Sequence, residues 1–292
     1  MRKSFPGTDV AAAVGAAAVS AEAVAGGGYG TNTAKWRVEL EDGRRAFVKL
    51  ALDDVAAEWL RREHGIYTHV RGPFLPELVG WRDTDGRTLL VLEDLGHAHW
   101  PPPWPPGMVD AVLEALDAVH ATEPPPGLRA LEGERERLHG WAMVEDDPLP
   151  LLATGLCSAA WLDYALPVLS RASATAELDG TALVHLDVRS DNLCLDGDRV
   201  VLVDWNFASV GNPLLDVVAW ASSLRLEGGP EPWDLVPDSR GLAALIAGFF
   251  ASRAGLPVPE TAPTVREFQR RQAEIALPWA ARELGLDPRL GA

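Results

Sequence analysis

Four polar residues stand at short, regular spacings between residues 184 and 204: His185, Asp187, Asn192 and Asp204. A His-x-Asp pair is followed by an Asn five residues after the Asp, and a second Asp comes twelve residues after the Asn. Transfer of a phosphoryl group to a hydroxyl needs a carboxylate that accepts the hydroxyl proton and hard oxygen ligands that hold Mg²⁺ against the phosphates. Asn and Asp supply such oxygens, so the pattern predicts Asp187 as catalytic base and Asn192 and Asp204 as magnesium ligands.

The plainer interpretation of this segment is a polar surface loop, because Asp and Asn are common in turns. Apolar runs flank the polar residues, and the turn Asp196-Gly197-Asp198 predicts a hairpin that brings Asp204 back toward Asn192. A single Asp–Asn pair would favour a turn, whereas four residues at these spacings favour a site.

The segment resembles the aminoglycoside phosphotransferase and choline kinase family, whose members are relatives of the protein kinases. The resemblance rests on His185-Leu-Asp187-x4-Asn192, Val203-Asp204-Trp205 and Gly211-Asn212-Pro213-x2-Asp216. A protein kinase would tend to show Asp-Phe-Gly and a long activation segment with Ala-Pro-Glu, and neither occurs at this point of the sequence. The resemblance implies an α+β, two-lobed protein-kinase-like fold and favours a small-molecule acceptor over a protein.

The same resemblance assigns nucleotide contacts to the N-terminal part of the chain. Lys49 resembles the lysine that pairs with the α and β phosphates of ATP, with GTP as the alternative nucleotide. Its carboxylate partner would lie on the following helix, where Glu63 is favoured over Glu58. A glycine-rich bend precedes Lys49; glycine lets backbone amides approach phosphates, although glycine runs also make plain hairpin turns. The predicted phosphate-binding residues of the bend are Gly27, Gly28, Gly30, Thr31 and Asn32.

The run Leu89-Leu-Val-Leu-Glu93-Asp94-Leu95 resembles the hinge between the two lobes. Backbone groups of Glu93 and Leu95 would then contact the edge of the adenine ring. An ordinary buried strand that ends in a turn is a compatible interpretation, since such a hinge is itself a strand end.

Several neighbouring polar residues are interpreted as structural. His185 is expected to pack within the loop, Asp216 to fix the loop backbone, and His120 to lie inside a helix. Arg189 departs from the family pattern, which commonly has His at this position. A contact with phosphate, a contact with an acidic substrate group and a simple salt bridge all remain open for it, so the acceptor is not defined.

The elements around these residues follow from periodicity and turn chemistry. A helix capped by Thr8 or Asp9 is expected to run to about Ala18, and Pro278 is expected to kink or split the last helix. Five prolines within residues 100–107 predict an irregular connector. Strands are predicted over 19–25, 33–40, 45–51, 77–81 and 88–93, with helices over 53–70, 108–122, 159–172, 214–226, 241–254 and 264–284. Residues 1–95 are predicted to form a nucleotide-binding lobe, and 96–292 a helical lobe with the catalytic loop and acceptor site.

Composition limits the partners and the compartment. The 292 residues have a net charge of −16 and an estimated pI of 4.8, so the chain should repel nucleic acid and anionic membranes and attract cationic small molecules. Two distant cysteines give no disulfide framework or zinc motif and fit a reducing, cytoplasmic location. The Ala-rich N-terminus superficially resembles a secretory signal, but the helix is favoured, and no run is apolar enough to span a membrane.

The sequence therefore predicts an ATP- and Mg²⁺-dependent phosphotransferase that acts on a hydroxyl of an aminoglycoside-like antibiotic, a sugar or an amino alcohol. The acceptor pocket is expected between the helix that follows Asp216 and the last helices. A kinase-like nucleotide-binding module without transferase activity and a protein kinase are the alternatives. Oligomeric state is left open.

Overall fold

The N-terminal part of the chain forms a five-stranded antiparallel sheet. A computed structural model describes residues 4–24, 32–84, 86–260 and 262–291. The strand order is β1-β2-β3-β5-β4. The strands are β1 (Ala18–Val24), β2 (Thr33–Leu40), β3 (Arg45–Ala51), β4 (Leu78–Thr84) and β5 (Arg87–Glu93). All five predicted strands are confirmed, and β2 and β3 have the predicted bounds.

Residues 89–92 of strand β5 are apolar without alternation because both faces of the strand are covered there. Leu89 and Val91 face one core, which helix α1 (Gly7–Val14) closes. Leu90 and Leu92 face the opposite core, which helix α2 (Asp54–His69) and the helical part of the chain close. The sheet therefore packs against α2 and the helical part of the chain through the face that carries Leu90 and Leu92.

The remainder of the chain is mainly helical. A short antiparallel hairpin and a second two-stranded ladder interrupt the helices and carry the polar motif. The helices are α3 (Met108–His120), α4 (Arg135–Leu138), α5 (Trp141–Asp146), α6 (Leu149–Ala153), α7 (Ala159–Ala174), α8 (Leu214–Leu226), α9 (Pro232–Leu235), α10 (Arg240–Ala254) and α11 (Val265–Glu283). The strands are β6 (Ala182–Val184), β7 (Leu193–Asp196), β8 (Arg199–Leu202) and β9 (Ser209–Gly211), with 3₁₀ turns at Leu131–Glu134 and Trp205–Phe207. The predicted α+β fold class is confirmed, while the division at residue 95 stays a prediction.

The first helix differs from its predicted bounds, and the last helix is not split at Pro278. Helix α1 begins after Pro6 without a side-chain cap and ends at Val14, because Gly15 adopts a left-handed conformation (φ 78°) that terminates helices. Helix α11 continues through Pro278 as a single element. Buried packing of residues 273–281 against the neighbouring helices accounts for this, since tertiary contacts can outweigh local propensity.

Both cysteines, Cys157 and Cys194, are free and buried. Burial raises the pKa of the Cys194 thiol to about 12. Within the described part of the chain, the helices are all too short or too polar to cross a membrane.

The helical core depends on a close approach between α5 and α10. The indole N–H of Trp141 donates to the carbonyl of Ala244 (2.7 Å), and Gly248 leaves room for the ring. A Cβ added at Gly248 would lie 2.5 Å from Nε1 of Trp141, whereas a Cβ added at Gly65 in α2 would meet nothing within 4 Å.

We expect Gly248→Ala to lower the free energy of unfolding by about 1–3 kcal/mol through overpacking, despite the better helix propensity of alanine. Gly65→Ala is the matched control and should raise it by about 0.5–1 kcal/mol. Urea denaturation measures both. An equal gain in stability for the two variants would contradict the packing described for Trp141.

Candidate active site

The loop between β6 and β7 is held by one buried carboxylate. Asp216, at the start of α8, accepts hydrogen bonds from the backbone N–H groups of His185 (2.9 Å) and Leu186 (2.7 Å). His120 Nε2 lies 3.0 Å from the same carboxylate. Leu186 has a left-handed backbone (φ 65°), which a branched residue adopts only when its surroundings impose it. The carboxylate of Asp216 therefore fixes the turn that presents Asp187.

The second half of the loop is fixed by Asn192. Its side-chain amide donates to the backbone carbonyl of Asp187 (2.9 Å) and to the carboxylate of Asp187 (2.8 Å). The backbone N–H of Val203 donates to the carbonyl of Asn192 (2.8 Å). The loop and the end of β8 therefore form one hydrogen-bonded unit, and Asp187 and Asn192 lie side by side.

His185 is buried and supports this hydrogen-bonded unit through its own contacts. Its Nε2 lies 2.9 Å from the carbonyl of Val203, and its Nδ1 accepts from the N–H of Asp187 (3.2 Å). The ring also packs edge-on against Trp205, with centroids 4.5 Å apart. These contacts use both ring nitrogens, which leaves His185 a supporting role.

A buried lysine joins the sheet to the motif. Lys49 on β3 lies 2.7 Å from Glu63 of α2 and also pairs with Asp204, which follows β8. Burial works to lower the pKa of Lys49, but Asp204 and Glu63 outweigh it and raise that pKa above its ordinary value. Burial works to raise the pKa of Asp204, yet the charges of Lys49 and Lys35 hold it below its usual range. Both groups are therefore held in their charged forms.

Glu63, and not Glu58, is the carboxylate that pairs with Lys49. Glu58 instead lies at the surface, 3.2 Å from Arg62. Sequence reasoning missed Tyr67, whose hydroxyl donates to Glu63 (2.8 Å) from within the core. The spacing of four residues on one helix was the available signal, because such positions share a face.

The donor atoms around Asp187 fit a magnesium ion bound together with phosphates. Nδ2 of Asn192 is used by Asp187, so Oδ1 is the atom of that amide that can ligate a cation. Asp204 has a left-handed backbone (φ 63°) that sets its carboxylate beside Lys49. No group of three His, Cys, Asp or Glu side chains among the described residues forms a complete metal site. Mg²⁺ commonly takes one or two protein oxygens and completes its shell with phosphates and water.

A cleft between the sheet and the motif contains the predicted hinge. Its described lining includes Lys49, Glu93, Leu95 and Asp204. The carbonyl of Leu95 accepts from the indole of Trp100 (3.0 Å), and none of the residues described accepts a hydrogen bond from the N–H of Leu95. That amide is therefore available to a ligand.

The structure does not bring every predicted phosphate contact into this cleft. Asn32 donates instead to Asp53 (2.9 Å), the residue that caps α2. Of the predicted bend, Gly27, Gly28, Gly30 and Thr31 lie outside the described residues.

Arg189 forms ion pairs within the loop. Its Nε lies 3.3 Å from the carboxylate of Asp187 and 3.1 Å from that of Asp191. Its guanidinium also lies over the ring of Phe268, 5.6 Å from the centroid. Of the roles left open by the sequence, the structure shows the salt bridge.

A second cleft contains Asp187. Residues of α8, α10 and α11 line it together with the loop that carries Asp187, and its role as the acceptor pocket stays a prediction. Its aromatic wall is made of phenylalanine, while Trp205 and Trp279 are fully buried in the core. Sequence reasoning missed this wall, because three of its four phenylalanines lie on α10 and α11 outside any motif, and only helix packing brings them beside the fourth, in the 3₁₀ turn after Asp204. The phenylalanines are Phe207, Phe249, Phe250 and Phe268.

Comparison with known proteins assigns the family. The sequence profile of the phosphotransferase enzyme family matches residues 24–235, which is more than half of the chain. The chain belongs to the phosphotransferase enzyme family. This confirms the predicted family and the predicted class of enzyme, a small-molecule phosphotransferase. A comparison with curated protein sequences gave no match.

Several solved structures have the same fold over most of the length of this phosphotransferase. A thermostable mutant of aminoglycoside phosphotransferase APH(4)-Ia is 16% identical (TM-score 0.58; 96% of this chain, 97% of that one). Macrolide 2'-phosphotransferase type I is 17% identical (0.52; 97% and 92%). Amicoumacin kinase hAmiN, in complex with AMP-PNP, Ca²⁺ and Ami, is 12% identical (0.56; 91% and 91%). At these identities the likeness shows the protein-kinase-like fold.

We expect Asp216→Asn to weaken both the fold and the catalytic loop, because an amide cannot accept from both backbone N–H groups as a carboxylate does. The free energy of unfolding should fall by about 2–3 kcal/mol. Displacement of Asp187 should lower the kcat of phosphoryl transfer by at least about tenfold, with the KM for the phosphoryl donor little changed. Exposed Asp163 on α7 gives the control, Asp163→Asn, which should match the wild type. Unchanged kcat and stability in Asp216→Asn would refute this role.

Proposed function

We propose that the enzyme transfers the γ-phosphoryl group of ATP, with GTP as the alternative donor, to a hydroxyl of a small molecule. Asp187 would act as catalytic base, and Asn192 and Asp204 would hold Mg²⁺. Lys49, positioned by Glu63, would bind phosphate, while the backbone of Glu93 and Leu95 would contact the base. Residues Gly27, Gly28, Gly30, Thr31 and Asn32 stay predictions for the phosphate loop.

One observation carries this proposal: the loop that places Asp187 in the helical cleft also contributes Asp191 to the cleft that contains Lys49 and Asp204. Asp187 lines the cleft formed by the helices, and its hydrogen-bond partner Asn192 lies against the strand end that leads to Asp204 in the other cleft. A hydroxyl in the first cleft and a triphosphate in the second would meet beside the Asp187 carboxylate.

The proposed reaction forms and breaks one bond at phosphorus. The acceptor oxygen attacks the γ-phosphorus while the bond from that phosphorus to the β,γ-bridging oxygen breaks, and ADP leaves. The acceptor proton passes to Asp187, and the phosphate ester of the acceptor is released. Bound Mg²⁺ would neutralise charge on the phosphates. Asn192 orients Asp187, so this chain contributes mainly positioning and electrostatic stabilisation.

The alternative functions receive less support. A nucleotide-binding module without transferase activity would not need Asp187, Asn192, Asp204 and Lys49 together. A protein kinase would tend to have a longer segment between Asp204 and α8 than the one present, which holds one 3₁₀ turn and one short strand. An aminoglycoside-like antibiotic, a sugar and an amino alcohol stay candidate acceptors, and a cytoplasmic location stays a prediction.

We expect Asp187→Asn to lower kcat at least about 100-fold, because the proton acceptor is lost. Nucleotide affinity should change little, since Lys49 and Asp204 remain. A coupled assay of ADP release measures turnover, and calorimetric titration with an ATP analogue measures binding. Asp198→Asn, at the exposed turn between β7 and β8, is the control and should behave as wild type. Near-normal turnover of Asp187→Asn would rule out its role as base.

A further inference from the structure

We propose that the acceptor is an uncharged, mainly apolar hydroxyl compound, one polar group of which donates a hydrogen bond to Gln272. This rests on the proposed function, because it concerns the cleft beside Asp187. In the transfer, the acceptor oxygen gains the γ-phosphoryl group of the nucleoside triphosphate and its proton passes to Asp187.

The walls of the acceptor cleft are largely apolar. Aromatic and aliphatic side chains from α8, α10 and α11 face the space next to Asp187. A site of this kind gains most of its affinity from burying apolar ligand surface, with a few polar groups that set orientation. The main apolar residues are Phe207, Leu215, Ile246, Phe249, Phe250 and Phe268.

The charged side chains of the cleft already have partners. Asp187 is the only acidic residue among the described residues that line it, and Arg189 pairs with it and with Asp191. Arg137 lies 2.6 Å from Glu134. A polycation would therefore find no row of carboxylates, and an anion would compete with existing ion pairs. Both considerations favour an uncharged acceptor, although the chain as a whole carries a charge of −16.

The acidic residues of the adjoining groove already have hydrogen-bond or ion-pair partners or lie at its exposed rim. Glu227 accepts hydrogen bonds on both oxygens, from Ser190 (2.6 Å) and Trp104 (3.0 Å). Glu267 lies at the exposed rim together with Arg271, whose positive charge partly offsets the negative charge of Glu267. The acidic residues that line this groove are Asp191, Glu227 and Glu267.

Gln272 provides a polar contact for the ligand. The side chain is 1% exposed, lines both the cleft and the groove, and its Oε1 has no hydrogen-bond partner among the described residues. A buried acceptor without a partner is unfavourable, so such atoms are usually satisfied. An oxygen can only accept, so a ligand that pairs with Oε1 would do so through an O–H or N–H group.

Three para-substituted benzyl alcohols that differ in charge, together with one polycationic aminoglycoside, test the proposal. We would use 1,4-benzenedimethanol (neutral), 4-(aminomethyl)benzyl alcohol (cationic), 4-(hydroxymethyl)benzoate (anionic) and kanamycin (polycationic) with the full chain, ATP and Mg²⁺. ADP release and ³¹P NMR of the products give kcat/KM for each. The neutral alcohol is expected to exceed each charged compound by about tenfold or more, as an unpaired buried charge is unfavourable.

The outcomes separate this proposal from the proposed function. Higher kcat/KM for kanamycin or for the cationic alcohol, or no phosphorylation of the neutral alcohol, would overturn the uncharged acceptor while leaving phosphoryl transfer intact. Absence of ATP binding and of any Asp187-dependent ATP hydrolysis would instead overturn the proposed function.

Two substitutions test Gln272 as a specificity-determining residue. Gln272→Met removes the oxygen at similar volume, and the KM for the neutral alcohol should rise about tenfold, the value of one hydrogen bond. The midpoint of thermal unfolding should stay the same or rise, because an unpartnered polar atom is lost. Gln272→Glu adds a carboxylate and should raise kcat/KM for the cationic alcohol.

The matched control lies on the same helix. Glu274 pairs with Arg270 at the surface of α11 (2.7 Å) and is outside the described cleft lining, so Glu274→Gln should keep the wild-type KM. Wild-type KM values for both Gln272 variants, with only stability altered, would show that Gln272 does not contact the acceptor.

Discussion

The buried charge of Lys49 is the constraint around which the site is arranged. An ammonium group taken from water is costly unless carboxylates compensate it, and Lys49 has two such partners from distant segments, Glu63 and Asp204. The ion pairs that compensate this charge hold β3 against α2. They also fix the position of Asp204, the carboxylate that follows β8. Asp204 is thereby held in place before any ligand binds, and the nearby Val203 amide links it to Asn192 and the catalytic loop.

The two clefts differ in the charge of the side chains that line them. The cleft beside Lys49 and Asp204 keeps strong charges where phosphates and a metal would meet them. The cleft that contains Asp187 has its charged side chains paired and its walls largely apolar. The loop that carries Asp187 thus contributes to two clefts of different polarity, with Asp187 in the apolar one and Asp191 in the charged one, which suits the proposed reaction between a highly charged donor and a mainly apolar acceptor.

How much the sequence predicted depends on how local each feature is. The spacing of Asp187, Asn192 and Asp204 lies within one loop and hairpin, so it was readable directly, and the five strands followed from alternation. The acceptor lining was not, because α8, α10 and α11 meet only through long-range packing, and Gln272 has no motif around it. Overall acidity favoured a cationic ligand, and this stays a prediction, because net charge is a property of the whole surface and does not describe one cleft. The end of α1 was missed because Gly15 was treated as part of an Ala-rich run.

The fate of a labelled phosphoryl group tests the central claim most directly. ATP that carries ¹⁸O at the non-bridging γ oxygens is incubated with the enzyme and the neutral benzyl alcohol. The masses of the products are then measured by mass spectrometry. Direct attack by the acceptor predicts a phosphate ester that retains the γ label, with the unlabelled acceptor oxygen as the bridge to phosphorus. Label that appears only in inorganic phosphate, with the alcohol recovered unchanged, would contradict phosphoryl transfer to a hydroxyl held beside Asp187.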